Sequence, residues 1–508
     1  MQYGQLMKGV KFASSYKDGA VITEDTLKDY SLKPDLIMVS GMHAAVTFTA
    51  SENYYTQQML KFINGESDIN SPFLQDFSKK DDFWPPKLKE LKQWKQDHPD
   101  ANIKDYIFYL PQTDLTVRAL AALYRENGHN VNILLSKEGL YDAQYSTDQN
   151  KTITALKKDQ NDNSFTSQKT YSFFPNFTHE SRQGEVQLKK DGMKNLGHEF
   201  IDMKEKIEFG DTRFCLYGTE KHPKGFILAG IAENKSLDNG LAMETVGRST
   251  EEAHEELRNT LQEIGLDIDV ITIELKQPFY HIDTTGVPTA HGHFFTCKEA
   301  YTDESWQKLQ DIYDDKLINL PKKDIADAFG GNGICFGNEI YISDIISNET
   351  INKMTELGYN VNLMPIPFTM ASGGGHRCMT SAHHFYPIGE GNNLSQYRPK
   401  LPAGKGQVKQ VSINDLSNTK ERGRGYSFTL EDLVIKDNKQ RQYENARDIT
   451  EKAMDYNRSY QVIVGKTPAA ERKNPKEQTR QSTTYWDWDS FVRNASDAYA
   501  RFTRYCSN

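Results

Sequence analysis

Five times along the chain, an amphipathic stretch with apolar residues three and four apart leads through a turn into a short apolar run. The instances are VRALAALYRENGHNVNILL, QLKKDGMKNLGHEFIDM, EEAHEELRNTLQEIGLDIDVITIEL, ESWQKLQDIYDDKLINL and NETINKMTELGYNVNLMPI. The first part of each predicts a helix and the last part a strand. A glycine stands at the junction in all but ESWQKLQDIYDDKLINL, where DDK replaces it; glycine suits the left-handed residue that ends a helix. Runs such as PDLIMVSGM, KGFILAGIAE and GICFGNEIYIS read as further strands between the units, so the repeat is ββαβ. One such unit cannot bury a core alone, and closing five around an axis buries all of them together. The expected architecture is therefore α/β, a five-bladed ββαβ propeller.

The same pattern sets the expected boundaries: an N-terminal segment 1–33, the propeller over 34–400, and a C-terminal extension over 401–508. A polar insertion at about 60–105, with a PP break in SPFLQDFSKKDDFWPPKLKELKQW, interrupts the propeller as a lid or surface elaboration. The extension is basic, with 19 Lys and Arg against 14 Asp and Glu, and NARDITEKAMDYNRSY carries helical spacing. Tyr485, Trp486 and Trp488 read as packing anchors of that part.

Composition narrows the function classes. The 508 residues carry a formal net charge of -9, which argues against general nucleic-acid binding and suits a pocket that attracts a cationic small molecule. No apolar run is long enough to span a membrane, and the N-terminus lacks the apolar core of a secretory signal, so a cytoplasmic location is expected. The five cysteines, Cys215, Cys297, Cys335, Cys378 and Cys506, form neither a CxxC pair nor a dense disulfide pattern. A reducing compartment leaves Cys378 free for chemistry. A homo-oligomer, with the basic appendage mediating self-association, is compatible with these features.

A polar cluster follows the last strand of every unit: Asp142 and Asp148, Glu208 and Asp211, His281 and Asp283, Asn332, and finally Cys378 within ASGGGHRCMTS. Parallel terminal strands bring these clusters to one end of the axis. Several carboxylates facing one cavity repel unless a cation lies among them. A metal, a protonated histidine and a cationic substrate all answer; without HxxxH or CxxC spacing, and with a thiol among hard oxygens, no metal is expected. A planar guanidinium fits, because carboxylates receive its forked N–H groups in pairs. Its carbon yields to a thiolate once carboxylates fix its plane and an acid protonates the leaving amine. The three glycines before Cys378 then serve close approach of backbone and thiol to a flat substrate. No cofactor is required. Asp142, His291, His293, His383 and His384 lack comparable support.

Read together, these segments resemble the pentein superfamily of guanidino-group-modifying enzymes, which includes arginine deiminase, dimethylargininase, arginine dihydrolase and the amidinotransferases. The resemblance covers about residues 34–384, and FYHIDT followed by GGGHRCMT is its most specific part. It implies the five-bladed propeller, Cys378 as nucleophile, His281 as general acid and base, and Glu208 as the histidine's partner. YDAQYSTD and FYHIDT imply Asp148 and Asp283 as guanidinium ligands, IEFGD implies Asp211 in support, and HESRQGE implies Arg182 near the substrate carboxylate. GRST implies Arg248 as a carboxylate ligand or a brace of the pocket. With Asn332, these make the expected substrate-binding set. Phe209 replaces a usual glycine, which narrows the site; Asp148 stands where dihydrolases carry asparagine; and Gly373 replaces the arginine of deiminases. The implied function is a guanidino-group hydrolase acting on arginine or a modified arginine. An amidinotransferase and a noncatalytic arginine-binding protein are the alternatives.

Overall fold

The structure of the protein, a computed structural model, describes residues 18–47, 93–100, 107–110, 113–232 except 160, 162 and 163, 247–389 except 367, 368, 371 and 372, and 393–411 except 399. Its architecture is α/β. The expected ββαβ pattern recurs as an antiparallel strand pair, a helix, and a strand parallel to the second member of the pair.

One unit contains β6 (Lys151–Lys158), β7 (Ser164–Phe174), α4 (Gln183–Met193) and β8 (Glu199–Asp202). The next contains β9 (Thr212–Cys215), β10 (Phe226–Ala232), α5 (Glu251–Glu263) and β11 (Asp269–Leu275). Then come β12 (Gly286–Pro288), β13 (Phe294–Thr296), α6 (Asp303–Tyr313) and β14 (Leu317–Asn319). A further unit holds β15 (Ile334–Phe336), β16 (Glu339–Ser343), α7 (Asn348–Glu356) and β17 (Asn360–Met364). An antiparallel pair, β3 (Ala45–Thr47) and β4 (Ile107–Tyr109), stands apart from these sheets, and the remaining unit joins both ends of the chain. Its β2 (Leu36–Val39) is parallel to β5 (Val131–Leu134) across α2 (Thr113–Glu126), and its outer strand is the late β18 (Ser381–Ile388), antiparallel to β2. β18 also pairs in parallel with β6, which merges two units into one seven-stranded sheet.

Local chemistry explains the helices. Thr250, Thr302 and Ser347 cap α5, α6 and α7 by accepting from the amides of Ala253, Ser305 and Thr350. All three first turns carry acidic residues, which suit the helix dipole. Past α2, α4, α5 and α7 the chain turns with positive φ at Gly128, Gly197, Gly265 and Gly358; after α6 the same turn falls on Asp314 at φ 53°. β10 reads FILAGIA because both of its faces are covered. Phe226 and Leu228 enter one hydrophobic core with Ile273, Leu309 and Ile340, while Ile227 and Ala229 enter a second with Leu257, Leu261 and Phe385.

Two expected boundaries fall inside the sheets. Residues of the 1–33 segment form β1 (Val21–Thr23) and α1 (Glu24–Leu32); β1 is antiparallel to β7, and Ile22 and Leu27 are buried in the second core. From the 401–508 extension, β19 (Val408–Gln410) is parallel to β17. Hydrogen-bonded pairing thus carries the folded body across residues 33 and 400. Residues 412–508, with the aromatic anchors expected there, and most of the 60–105 insertion lie outside the described residues.

Candidate active site

The loops after β5, β8, β11, β14 and β17 converge, as their sequence suggested. The shortest route from strand to site uses a single turn. Glu208 and His281 are extended residues directly before the one-turn segments Phe209–Asp211 and Ile282–Thr284, and Asn332 ends the turn Gly330–Asn332. Asp148 lies on α3 (Ser146–Gln149). These turns stack tightly: a Cβ on Gly331 would lie 1.9 Å from the carbonyl oxygen of Thr284, so only glycine brings Asn332 against the His281–Asp283 turn.

Cys378 Sγ donates to Asp283 Oδ2 at 3.3 Å and accepts from Asn332 Nδ2 at 2.9 Å. His281 Nε2 stands 3.1 Å from Glu208 Oε2, and its Nδ1 is 4.0 Å from Asp283 Oδ1. The same Glu208 oxygen accepts from Arg182 Nη1 at 2.9 Å and Arg248 Nη1 at 3.0 Å. Ser249 accepts from the Glu208 amide and donates to Asp211 Oδ2. Arg182 reaches Asp148 Oδ2 at 3.2 Å and holds Glu185 through both Nε and Nη2. Asp148, Glu208, Asp211, His281, Asp283, Asn332 and Cys378 are all buried.

The charges set each other's protonation. Burial alone disfavours the His281 imidazolium, but the Asp211, Glu208 and Asp148 carboxylates outweigh it and lift this pKa to about 9. Glu208 is the reverse case: burial favours its acid form, yet Arg248, Arg182 and His281 hold it well below the usual carboxylate range. Burial pushes Asp148 up to about 6 against the pull of Arg182, and Asp211 up to about 7 against that of His281. Burial together with Asp283 and Asp148 raises the Cys378 thiol well above its ordinary value. The site therefore holds an imidazolium, an ionised Glu208 and a protonated thiol.

Four carboxylate oxygens, Asp148 Oδ1, Asp283 Oδ1, Glu208 Oε1 and Asp211 Oδ1, are buried without a hydrogen-bond partner. A donor oxygen from each of Asp148 and Asp283 lies with Cys378 Sγ inside a 4.8 Å triplet, and Asp148, Glu208 and His281 form another. Two unit charges at that separation repel by about 3.5 kcal/mol at an effective dielectric constant of about 20. The second triplet already meets the Arg182 and Arg248 guanidinium groups through Asp148 and Glu208. The first triplet shares Asp148 with the second and adds Asp283 and the thiol, so a cation placed there would face both carboxylates.

All nine expected site residues are at or beside this centre, and two of them, Arg182 and Asn332, are engaged with other groups of the site. Arg182 is engaged by three carboxylates and lies over the Phe177 ring, so it is a counter-ion within the site. Asn332 spends its amide on Cys378 and the Asp283 carbonyl. The Phe209 ring is buried in the second core and does not narrow the site; its neighbour Gly210 faces it, where a Cβ would stand 2.5 Å from His281 Nδ1 and 2.6 Å from Asp148 Oδ1. The glycine run ahead of Cys378 also serves packing. A Cβ on Gly374 would enter the Tyr145 ring at 1.9 Å, and Gly373 takes φ 86° while its carbonyl accepts from Tyr280. The Gly375 amide favours the thiolate, as a backbone nest would.

Several residues of the site were not among those expected there. Half-buried Asp142 lies in the field of Arg182 and Arg248. Glu185 stands one helical turn beyond Arg182, a spacing visible in RQGE. Buried Arg213 places Nη2 2.7, 2.5 and 3.0 Å from the carbonyls of Asp283, Gly286 and Gly331, tying two site turns together; nothing in TRFC signals this. His383 bonds Thr154 inside the sheet, and His293 bonds Tyr359 away from the centre.

No family model matches the chain. Over 214 residues it is 23% identical to the bifunctional arginine dihydrolase/ornithine cyclodeaminase ArgZ of Synechocystis sp., a stretch that is 40% of this chain and 26% of ArgZ. The chain thus spans about a quarter of that curated relative's length. Among solved structures, the product-bound N-terminal domain of ArgZ, an arginine dihydrolase from the ornithine-ammonia cycle in cyanobacteria, is 17% identical with a TM-score of 0.45, over 70% of this chain and 99% of that one. Unliganded AgrE is 16% identical with a TM-score of 0.47, over 71% and 41%. An adduct of dimethylarginine dimethylaminohydrolase with S-methyl-L-thiocitrulline is 14% identical with a TM-score of 0.38, over 52% and 87%. Over the matched stretch the chain is similar to an arginine-modifying enzyme.

Proposed function

We propose that the protein hydrolyses the guanidino group of arginine or a modified arginine, with Cys378 as nucleophile. The observation that carries this reading is the pair of buried carboxylates, Asp148 and Asp283, that lie with the Cys378 thiol inside one 4.8 Å triplet and each keep an unpartnered oxygen. A guanidinium brings five or more N–H donors in one plane and a positive charge, which is what these acceptors lack.

The chemistry follows from the protonation states. Bound between Asp148 and Asp283, the substrate cation takes over Asp283 from the Cys378 S–H and offsets the negative field that keeps the thiol protonated. The thiol proton leaves to solvent, and the thiolate attacks the guanidinium carbon. His281, held as imidazolium, protonates the departing nitrogen, which leaves as ammonia or an amine and gives a cationic thiouronium on Cys378. Neutral His281, still oriented by Glu208, then takes a proton from water. The hydroxide adds to the same carbon, the C–S bond breaks as the hydroxyl passes its proton to the departing sulfur, and a ureido product is released with the Cys378 thiol restored. Arg182 and Arg248 keep Glu208 ionised throughout.

We read the five units as blades of a propeller with this site on its axis, supported by the meeting of all five loop clusters there. The described part of that body runs from β1 to β19. Among the described residues the four cysteines, Cys378 included, are free, which suits the reducing cytoplasm.

Intact-protein mass spectrometry with arginine, methylated arginines, agmatine and an arginine peptide tests the reading. A ureido product and a transient adduct on Cys378 are expected, with an added amine leaving the product unchanged. Cys378→Ala is expected to abolish turnover while still binding the substrate. Absence of product and adduct with every compound, or wild-type-like turnover in Cys378→Ala, would overturn it.

A further inference from the structure

The sequence placed Asn332 among substrate ligands, and its hydrogen bonds leave it no capacity for that role. Its side-chain amide has two N–H donors and one carbonyl acceptor. One donor reaches the Asp283 carbonyl at 3.0 Å and the other reaches Cys378 Sγ at 2.9 Å. Oδ1 accepts the Cys378 amide at 3.1 Å, and the Asn332 backbone carbonyl accepts the Arg377 amide at 2.9 Å. The other side of Oδ1 is closed by Gly375, whose Cβ would stand 2.9 Å away. Asn332 is fully buried.

The amide orientation is dictated by its neighbours. The Cys378 N–H must face an acceptor and the Asp283 C=O must face a donor, so a flipped amide would set N–H against N–H and C=O against C=O. Sulfur therefore receives an N–H from a neutral group. A donor of this kind favours the anion over the thiol. Being uncharged, it does so without repelling a guanidinium.

We propose that Asn332 is a catalytic residue that acts on the nucleophile: its Nδ2–H stabilises the Cys378 thiolate, while its Oδ1 and backbone carbonyl fix the sulfur opposite Asp283. The proposal deepens the reading of Cys378 as nucleophile and rests on it. Around the sulfur, Asp283 and Asp148 oppose ionisation, Arg213 and Arg377 lie within its field, and Tyr280 is close enough to feel its charge. Among these, Asn332 is the side chain with a hydrogen bond donated to sulfur. Once a substrate cation holds Asp283, the Asn332 bond stays in place, so its contribution persists as the carbon–sulfur bond forms.

The test reads the sulfur directly and needs no substrate. The rate of Cys378 carbamidomethylation by iodoacetamide, followed by peptide mass spectrometry from pH 6 to 10, is compared for wild type, Asn332→Ala and Asn332→Asp. Asn332→Asp keeps an acceptor for the Cys378 amide and lacks the donor, so it separates loop support from thiolate stabilisation. Both variants are expected to react about tenfold more slowly than wild type at a given pH, equal to one pKa unit, with circular dichroism unchanged. With a turned-over guanidino substrate, kcat falls and KM is little altered. Wild-type alkylation rates at every pH in either folded variant would overturn the proposal, and so would a KM increase with unchanged kcat. If no compound is turned over, the alkylation profiles still decide the role of Asn332, and only the hydrolase reading fails.

Discussion

Gly210 shows how much of the chemistry depends on one missing Cβ. His281 Nδ1 and Asp148 Oδ1 both approach within 2.6 Å of where that atom would stand, so alanine there must displace the proposed acid–base group, the proposed guanidinium ligand, or both. Displacements of about 1 Å cost on the order of a hundredfold in rate. Gly210→Ala is expected to lower kcat/KM at least a hundredfold while the protein stays folded. Paired steady-state kinetics and thermal unfolding check this, and a change within twofold would mean that the turn relaxes freely. Residues with strong chemistry next to a turn, such as Cys378, His281 and Glu208, were legible because thiol, imidazole and carboxylate stand out after apolar strands. Arg213 and Ser249 were not, since a polar residue in a short strand or just ahead of a helix looks the same whether it meets solvent or a buried polar group. Phe209 misled for a related reason: sequence order does not say which of two adjacent turn residues faces the core.

At the level of elements, the helix stops carried most of the readable information. Four glycines and Asp314 share positive φ after their helices, and the one departure in the repeat, DDK, is also the one of these five helix stops where a side chain occupies that conformation. Asp314 adopts φ 53° and ψ −127°, a region almost confined to glycine and costing about 1–3 kcal/mol for other residues. Glycine there loses about 0.5–1 kcal/mol more chain entropy on folding, and the exposed contact with Lys221 contributes little. Asp314→Gly is therefore expected to stabilise the protein by about 1 kcal/mol in urea unfolding; a destabilised variant would refute the strain. What the pattern did not reveal was β18. Its pairing with β2 joins residues some 340 positions apart, and no local periodicity encodes a partner at that distance. The same holds for β1 and β19, whose short strands gave no sign that the sheets reach beyond residues 33 and 400.

For the whole molecule, the buried charges make stability depend on pH with a definite sign. Asp148, Asp211 and His281 all have folded pKa values above their ordinary ones, at about 6, 7 and 9. The folded state therefore binds protons more tightly than the unfolded chain over these ranges. The contribution of the two carboxyl groups is full below about pH 4 and is lost as pH rises through 6 and 7; that of His281 is full below about 6.5 and lost through 9. Glu208 works oppositely, contributing above about 4.5 and losing that contribution in acid. A bound guanidinium reverses the trend between pH 5 and 8, because it needs the carboxylates ionised. In Cys378→Ala, which keeps the carboxylates and cannot turn over, the rise in Tm with L-arginine or agmatine should grow as pH increases from 5 to 8, with affinity falling up to tenfold per unit below about 6. Replacing Asp148 by asparagine in the same background should flatten that dependence. A thermal shift independent of pH across this range would mean that the buried carboxylates do not form the cation site, and the guanidino reading would lose its physical basis.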